Sequence, residues 1–242
     1  MRHLIIKEQF HHQLAQAIDL NRQSRRTERC TEFSDYITIK SSGNIITYEV
    51  PMALGKQAKI LNRQQIDALL HHVGKLRNGL RNQVIVLLSV RAGLRAKEIA
   101  SLNWNMIVGA GGEVGDYIHL TDDASKGQSG RIIPINKQLK ASLVELHGID
   151  RGEWVIRTER SDRTSAQAIV NLFQRWYRDL GLVGCSSHSG RRTFITNAAR
   201  KISTVGGSLR DVQHLAGHSS LQTTQRYIEG DSEARKRVVE LI

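Results

Sequence analysis

Residues 186–228 read SSHSGRRTFITNAARKISTVGGSLRDVQHLAGHSSLQTTQRYI, and this stretch decides the fold. His188 and Arg191 lie three residues apart at a predicted helix start, so both side chains can face the same way. The two serines after His218 are favourable N-cap residues for a short helix that carries Tyr227 at its far end. The pattern therefore predicts that cationic or hydrogen-bonding side chains, a second histidine and a phenol converge on one anionic group.

This stretch resembles the C-terminal half of the tyrosine recombinase (phage integrase) family, whose pattern is H-x-x-R, then L-x-G-H-x-x, then T-T-x-x-Y. The three pieces occur here in that order, at residues 188–191, 215–220 and 223–227. His-x-x-Arg alone occurs by chance in many helices, whereas the three pieces together are a specific signal. The resemblance covers about residues 61–242 and implies an α+β, mainly α fold with a small three-stranded antiparallel sheet.

A further match lies upstream, where Gly93-Leu94-Arg95 leads into a predicted helix that contains Glu98. It resembles the first box of the family, which implies that Arg95 binds the phosphate. A guanidinium is always charged and can contact two phosphate oxygens at once. Glu98 falls where the family often has an acidic residue that supports the site. Spacing alone also allows an ordinary helical surface pair between Arg95 and Glu98.

Lys126 lies in a predicted turn, between Ser125 and Gly127, and the strand Arg131-Ile-Ile-Pro134 follows it. The family places a catalytic lysine in this β-turn, ahead of an R-x-V-P-like strand, and Lys126 is the matching position. The resemblance implies that Lys126 donates a proton to the leaving oxygen. The alternative is an exposed turn lysine.

The second arginine of the phosphate site is either Arg191 or its neighbour Arg192. The spacing from His188 favours Arg191, and we interpret Arg192 as a surface or DNA-backbone residue. Arg95 and Arg191 together can neutralise the two non-bridging oxygens as charge builds in a pentavalent transition state. The chain departs from the family at Gly190, where the family commonly has leucine.

The resemblance implies that Tyr227 is the nucleophile. A free phenol titrates near pH ~10, so it needs help to lose its proton at neutral pH. We expect His188 to be the general base and His218 to donate a hydrogen bond to a phosphate oxygen. The implied reaction gives a 3′-phosphotyrosyl link and a free 5′-hydroxyl, without metal, ATP or another cofactor. The structural alternatives are a buried core tyrosine and a helix-capping histidine.

Hydrophobic periodicity predicts the remaining elements of this region. A capping box formed by Asn62 and Gln65 precedes a helical apolar stripe, and residues 81–92 form a helix that is apolar nearly all round and therefore central to the core. Gly93 ends that helix. The other predicted elements are strands at Trp104–Val108, Asp116–Leu120 and Arg131–Ile135, and helices at Asn136–His147 and Ser165–Leu180.

Residues 1–58 are predicted to be a short N-terminal appendage, and residues 59–242 the catalytic domain. The appendage holds a predicted helix at residues 4–20 and an arginine-rich stretch at residues 21–30 that contacts phosphates or solvent. A predicted β-hairpin spans Tyr36–Val50, with turn residues in its middle, and a linker follows it. The appendage is too short for the helical core-binding domain of larger family members. Residues 231–242 are predicted to form a charged helix whose apolar edge folds back or docks elsewhere.

Composition favours a polyanionic partner. The chain has 35 Lys and Arg against 23 Asp and Glu, a net charge of +12 that points to nucleic acid first and an anionic membrane surface second. A basic protein without such a partner is the alternative. Cys30 and Cys185 form no CxxC pair, which argues against a disulfide framework or a thiolate zinc site. We expect neither a signal peptide nor a membrane span, and a cytoplasmic protein.

Together these patterns predict a site-specific DNA recombinase of the integrase type. Its predicted partner is double-stranded DNA, and the resemblance implies a homo-tetramer on paired DNA sites, with or without an accessory protein. Two other functions fit the same residues. One is a type IB topoisomerase-like enzyme that relaxes DNA, and the other is a non-catalytic DNA-binding accessory factor or regulator.

Overall fold

The chain divides into two compact units, Met1–Gly55 and Lys56–Ile242. A computed structural model describes residues 36–41, 44–49, 58–125, 129–149, 152–159, 161–227 and 239–240. The predicted helix at residues 4–20, the arginine-rich stretch at residues 21–30 and Lys126 therefore lie outside the described residues. So does the predicted C-terminal helix, apart from residues 239 and 240.

The first unit contains a β-hairpin. Strand β1 (Tyr36–Ser41) pairs antiparallel with β2 (Asn44–Glu49), in a register that sets Tyr36 opposite Glu49 and Ser41 opposite Asn44. Only two residues connect the paired ends, a length that suits a tight hairpin turn. The predicted hairpin is confirmed.

In the second unit, helix α2 (Gly79–Arg91) lies at the centre, as its apolar sequence predicts. It packs against α1 (Arg63–Gly74), α4 (Lys137–Ile149) and α6 (Ser189–Lys201). Every residue from Val84 to Val90 is buried. The capping box of α1 is present, because Asn62 accepts a hydrogen bond from the Gln65 amide and its own amide donates to the Gln65 side chain.

Helix α5 (Ala166–Asp179) completes the main core and packs against α1 and α3 (Ala96–Ala100). Its buried stripe follows the i, i+4, i+7, i+8 pattern. The stripe consists of Ile169, Phe173, Trp176 and Tyr177. Over the part of the chain that the structure describes, no helix has both the length and the apolar character that crossing a membrane requires.

The sheet of this unit has two strands among the described residues, not three. Strand β3 (Tyr117–Leu120) pairs antiparallel with β4 (Arg131–Pro134). The predicted strand at Trp104–Val108 is wrong, because Trp104–Met106 is a turn of 3-10 helix. The Asn103 side chain accepts a hydrogen bond from the Met106 amide at 3.2 Å and so favours the helical turn. The α+β, mainly helical class is confirmed.

The last described elements form a smaller, second cluster. After α6 come a 3-10 turn at Ile202–Val205, helix α7 (Leu209–Ala216) and helix α8 (Leu221–Gln225). The short helix predicted after the serine pair is thus present, with Ser220 as its N-cap residue. Three buried residues form the centre of this cluster, and the Tyr227 side chain packs against them. They are Ile195, Val212 and Ala216.

Candidate active site

Arg95 lies at the junction between α2 and α3. Gly93 has a φ of 66°, a left-handed conformation that suits glycine, and the chain turns there from one helix into the next. The Arg95 guanidinium donates a hydrogen bond from Nη1 to Oε1 of Glu98 at 2.7 Å, and the Arg95 amide donates to Oε2 at 2.8 Å. The pair that the spacing suggested is therefore formed. It is not a surface pair, since the Glu98 side chain is 0% exposed.

Glu98 is the anion at the centre of the cluster. Its carboxylate also accepts two bonds of 3.1 Å from Nη1 and Nη2 of Arg131. Burial alone would raise the pKa of Glu98, but the hydrogen bonds and charges of Arg131 and Arg95 outweigh it and lower that pKa. The carboxylate therefore stays ionised and holds two guanidiniums in place.

Arg131 is a residue of the site that the sequence reasoning missed. It begins β4, and its side chain is only 6% exposed. Side chains alternate along a strand, so Arg131 shares a face with the buried Ile133. An arginine on the inward face of a short strand is the signal that could have indicated a buried cation. No local pattern indicates that its partner is Glu98, 33 residues away.

Arg191 lies in the first turn of α6 and is 4% exposed. Its Nη1 donates to the Gly93 carbonyl at 2.7 Å, so α6 is tied to the α2–α3 junction. Gly190 permits this approach, because a Cβ atom at Gly190 would collide with the Ser89 hydroxyl on α2. Burial, and next the charge of Arg95, lower the pKa of Arg191 to about 10, so the guanidinium remains charged at neutral pH.

Arg192, the competing arginine, has a different environment. Its side chain is half-buried, and Nη1 donates to the Ala58 carbonyl at 3.1 Å. The next residue of α6 also binds the backbone there, since the Leu61 amide donates to the Thr193 hydroxyl at 2.8 Å. Arg192 thus contacts the start of the second unit, whereas Arg191 contacts the cluster around Arg95.

Three consecutive carbonyls at the C-terminal end of α7 hold the three arginines. A helix C-terminus carries a partial negative charge and unpaired carbonyls, so it suits guanidinium donors. The three bonds are Arg131 Nε to Leu215 O at 2.9 Å, Arg191 Nη2 to Ala216 O at 2.6 Å and Arg95 Nη2 to Gly217 O at 3.5 Å. We call these three arginines, together with Glu98, the arginine cage.

His218 follows directly after these carbonyls. Gly217, with a φ of 61°, ends α7, and the backbone of His218 is held by two bonds with Gln213. Nδ1 of His218 lies 2.9 Å from Oγ1 of Thr224. Burial, followed by the charges of Arg191 and the other cage arginines, lowers the pKa of His218 to about 4. The imidazole is therefore neutral at neutral pH.

Tyr227 stands beside His218. Their rings stack with centroids 5.5 Å apart and an interplanar angle of 22°. The Tyr227 amide donates to the Thr224 carbonyl at 3.1 Å, so Tyr227 lies in the backbone turn that ends α8. The phenol, the imidazole and the arginine cage thus belong to one chain and one site.

The other two predicted site residues are His188 and Lys126. His188 directly precedes α6 and is exposed, whereas Arg191, one turn later, is buried. Lys126 lies outside the described residues, and hydrogen bonds hold the described residues on either side of that gap. On one side Lys97 Nζ donates to the Ser125 carbonyl at 2.8 Å, and on the other the Gly130 amide donates to Asp122 Oδ1 at 2.7 Å.

An open cavity of about 880 Å³ lies over this cluster. Arg95, Arg131, His218 and the turn after α7 line it. Three guanidiniums against one carboxylate leave the cage with an excess of positive charge. Cationic donors that are already positioned and partly shielded from water favour an anionic ligand with several oxygens, such as a phosphodiester.

A mainly helical α+β unit that combines this arginine cage with His218 and Tyr227 is the arrangement expected of a tyrosine recombinase. The chain belongs to the phage integrase family, whose sequence pattern matches residues 59–233. It is 30% identical over 192 residues to the tyrosine recombinase XerA of Thermococcus kodakarensis, an alignment that spans 74% of this chain and 60% of that protein. It is 28% identical over 216 residues to the tyrosine recombinase XerC of Histophilus somni, which spans 85% of this chain and 69% of that protein.

Solved structures share the fold. The Tn1549 transposon integrase in complex with a circular intermediate DNA superposes with a TM-score of 0.60 at 15% identity, over 76% of this chain and 65% of that one. The chain thus spans roughly two thirds of the length of the proteins it resembles.

Proposed function

We propose that the protein is a site-specific DNA recombinase of the integrase type, which cleaves and rejoins DNA through a 3′-phosphotyrosyl intermediate. One observation carries the proposal, namely that the Tyr227 ring stacks on His218 beside three buried or half-buried guanidiniums. Membership in the phage integrase family and the net charge of +12 support a DNA substrate. The related Tn1549 transposon integrase is bound to DNA in its structure.

In the proposed reaction, the Tyr227 oxygen attacks the phosphorus of a DNA phosphodiester. A bond forms between that oxygen and phosphorus, and the bond from phosphorus to the 5′ oxygen breaks. Arg95 and Arg191 bind the non-bridging oxygens, where negative charge grows. The cage is in place before the substrate arrives, so little reorganisation is needed during the reaction.

Proton transfers complete the step. His188 takes the phenol proton, and Lys126 gives a proton to the leaving 5′ oxygen, in line with their positions in the family pattern. His218 is neutral at neutral pH, since its pKa is lowered to about 4, and so it donates one hydrogen bond to a phosphate oxygen. The reverse reaction with a 5′-hydroxyl from another strand exchanges strands without an external energy source.

We further propose that residues 59–242 form the catalytic domain and residues 1–58 a short appendage. The proposed partner is double-stranded DNA, with four copies of the chain on two paired sites, with or without an accessory protein. The proposed location is the cytoplasm, where such DNA is accessible.

The test uses nicked suicide DNA substrates from the genomic neighbourhood of the gene. We expect a covalent protein–DNA species on a denaturing gel with the native protein and none with Tyr227→Phe. Tyr117→Phe is the matched control, because it removes a hydroxyl from an exposed tyrosine on β3. A covalent species that persists in Tyr227→Phe would refute Tyr227 as the nucleophile.

Two outcomes would favour another function. Relaxation of a supercoiled plasmid without any recombinant product would favour a type IB topoisomerase-like enzyme. DNA binding without a covalent species from the native protein would favour an accessory factor.

A further inference from the structure

The contact between His218 and Thr224 carries information about where the imidazole proton lies. Thr224 is on α8 and is 0% exposed, and its hydroxyl oxygen is 2.9 Å from Nδ1 of His218. A neutral imidazole has one nitrogen that donates and one that accepts, and the hydrogen bond made by one nitrogen decides the role of the other. The direction of this single bond therefore sets the chemistry of Nε2.

The burial of Thr224 indicates the direction. Among the hydrogen bonds of the described residues, the Thr224 hydroxyl has one partner, Nδ1 of His218. If Nδ1 donated the proton, the hydroxyl hydrogen would be buried without an acceptor, which costs about 1–3 kcal/mol. If the hydroxyl donates, Nδ1 accepts and both groups are satisfied. The second arrangement is the more stable one.

We propose that Thr224 is a positioning residue that donates its hydroxyl proton to Nδ1 and holds His218 as the Nε2–H tautomer. His218 then presents a neutral N–H donor rather than a lone pair. The backbone of His218 is held on both sides by Gln213, so the ring has a defined position as well as a defined tautomer. The use of this donor on a phosphate oxygen rests on the proposed function, whereas the tautomer itself does not.

The direct test is ¹⁵N NMR of the full chain, with the ring signals of His218 identified by their loss in His218→Gln. A protonated and an unprotonated ring nitrogen have distinct shifts and couplings. We expect a protonated Nε2 and an unprotonated Nδ1 in the native protein. The opposite tautomer would overturn the proposal, because His218 would then donate to Thr224 and expose a lone pair.

Two substitutions separate positioning from packing. Thr224→Val keeps the shape but removes the hydroxyl, and we expect loss of the single tautomer. Thr224→Ser keeps the hydroxyl, and we expect it to restore the native signals. The matched control is Thr196→Val, since Thr196 is a buried threonine of α6 whose hydroxyl makes no hydrogen bond among the described residues. A Thr224→Val protein that keeps the native tautomer would overturn the proposal.

The catalytic readout is the yield of covalent species with the suicide substrate. Loss of the hydrogen-bond partner that orients a metal-bound histidine typically costs about 10- to 100-fold in activity, and we expect a fall of this size for Thr224→Val, but not for Thr224→Ser or Thr196→Val. A fall in yield with an unchanged tautomer would show a packing role and overturn the proposal. If the native protein forms no covalent species, the proposed function fails, and the NMR result still decides the tautomer.

Discussion

Replacement of Glu98 by glutamine should destabilise the second unit severely. The Glu98 carboxylate accepts four hydrogen bonds, two from Arg95 and two from Arg131, at 2.7–3.1 Å. Glutamine has nearly the same shape, but it has no charge, and its amide nitrogen cannot accept. About half of the N–H groups that bind Glu98 would therefore face the NH₂ group of the glutamine instead of an acceptor. The Arg131 side chain, which is 6% exposed, would also lose its counter-ion.

The expected loss in the free energy of unfolding is about 3–5 kcal/mol, the cost of removing one partner from a buried ion pair. For a urea slope of ~2 kcal/mol/M, this lowers the midpoint of unfolding by roughly 2 M. All three tryptophans lie in this unit, so their fluorescence reports on it alone. The matched control is Asp67→Asn, which breaks an exposed pair with Arg63 and should cost only a small fraction of that loss.

The pH dependence gives a second criterion. The pKa of Glu98 is lowered in the folded state, so the ionised carboxylate stabilises the fold above its unfolded pKa of ~4.3. This contribution disappears as the pH falls through the folded pKa, and Glu98→Gln should lack it. Adding Arg131→Met to Glu98→Gln should cost less than the sum of the two single changes. A loss below ~1 kcal/mol, or strict additivity, would refute the account of Glu98 as the shared counter-ion.

Three further predictions concern the surroundings of the cage. The pKa of His218 is about 4 in the folded protein and ~6.5 in the unfolded chain, so His218 lowers the free energy of unfolding as the pH falls from 6.5 to 4. His218→Gln should remove this pH-dependent loss, which is on the order of 1–2 kcal/mol after allowance for partial exposure. Urea titrations at several pH values measure it. Gly217→Ala should lower the midpoint of thermal unfolding more than Gly206→Ala does. Both glycines have a positive φ, but only at Gly217 would an added Cβ atom lie 2.8 Å from Arg131. Equal shifts of the two midpoints would contradict this prediction. Thr193→Val should cost about 1–3 kcal/mol in chemical denaturation because it leaves a buried backbone amide without its acceptor, and Thr193→Ser should not.

The helices of the second unit could be predicted because their patterns are local. The capping box at Asn62 and the apolar stripe after it specify α1 within a few residues of sequence, and the stripe of α5 does the same. The strand predicted at Trp104–Val108 failed for a local reason too. Its alternation of apolar and polar residues is only three residues long, and the Asn103 side chain favours a helical turn through its bond to the Met106 amide.

The site was predictable to the extent that its residues lie in short motifs. Spacing and family resemblance pointed to Arg95, Arg191, His218 and Tyr227, and the structure brings these residues together. Arg131 could not be recognised as a member, because its carboxylate partner is brought to it only by the tertiary fold. The carbonyl partners of the arginines could not be predicted either, since any residue can supply a backbone carbonyl.

Through those carbonyls, the end of helix α7 binds all three arginines of the cage. Its last turn binds one guanidinium from α3, one from β4 and one from α6 through adjacent peptide groups. A displacement of α7 would therefore remove one hydrogen bond from each of the three guanidiniums at once, while the bonds to Glu98 and to the Gly93 carbonyl would remain. We expect the orientation of all three guanidiniums to depend on the position of α7. A contact on α7 would therefore act on the whole cage without a rearrangement of the main core.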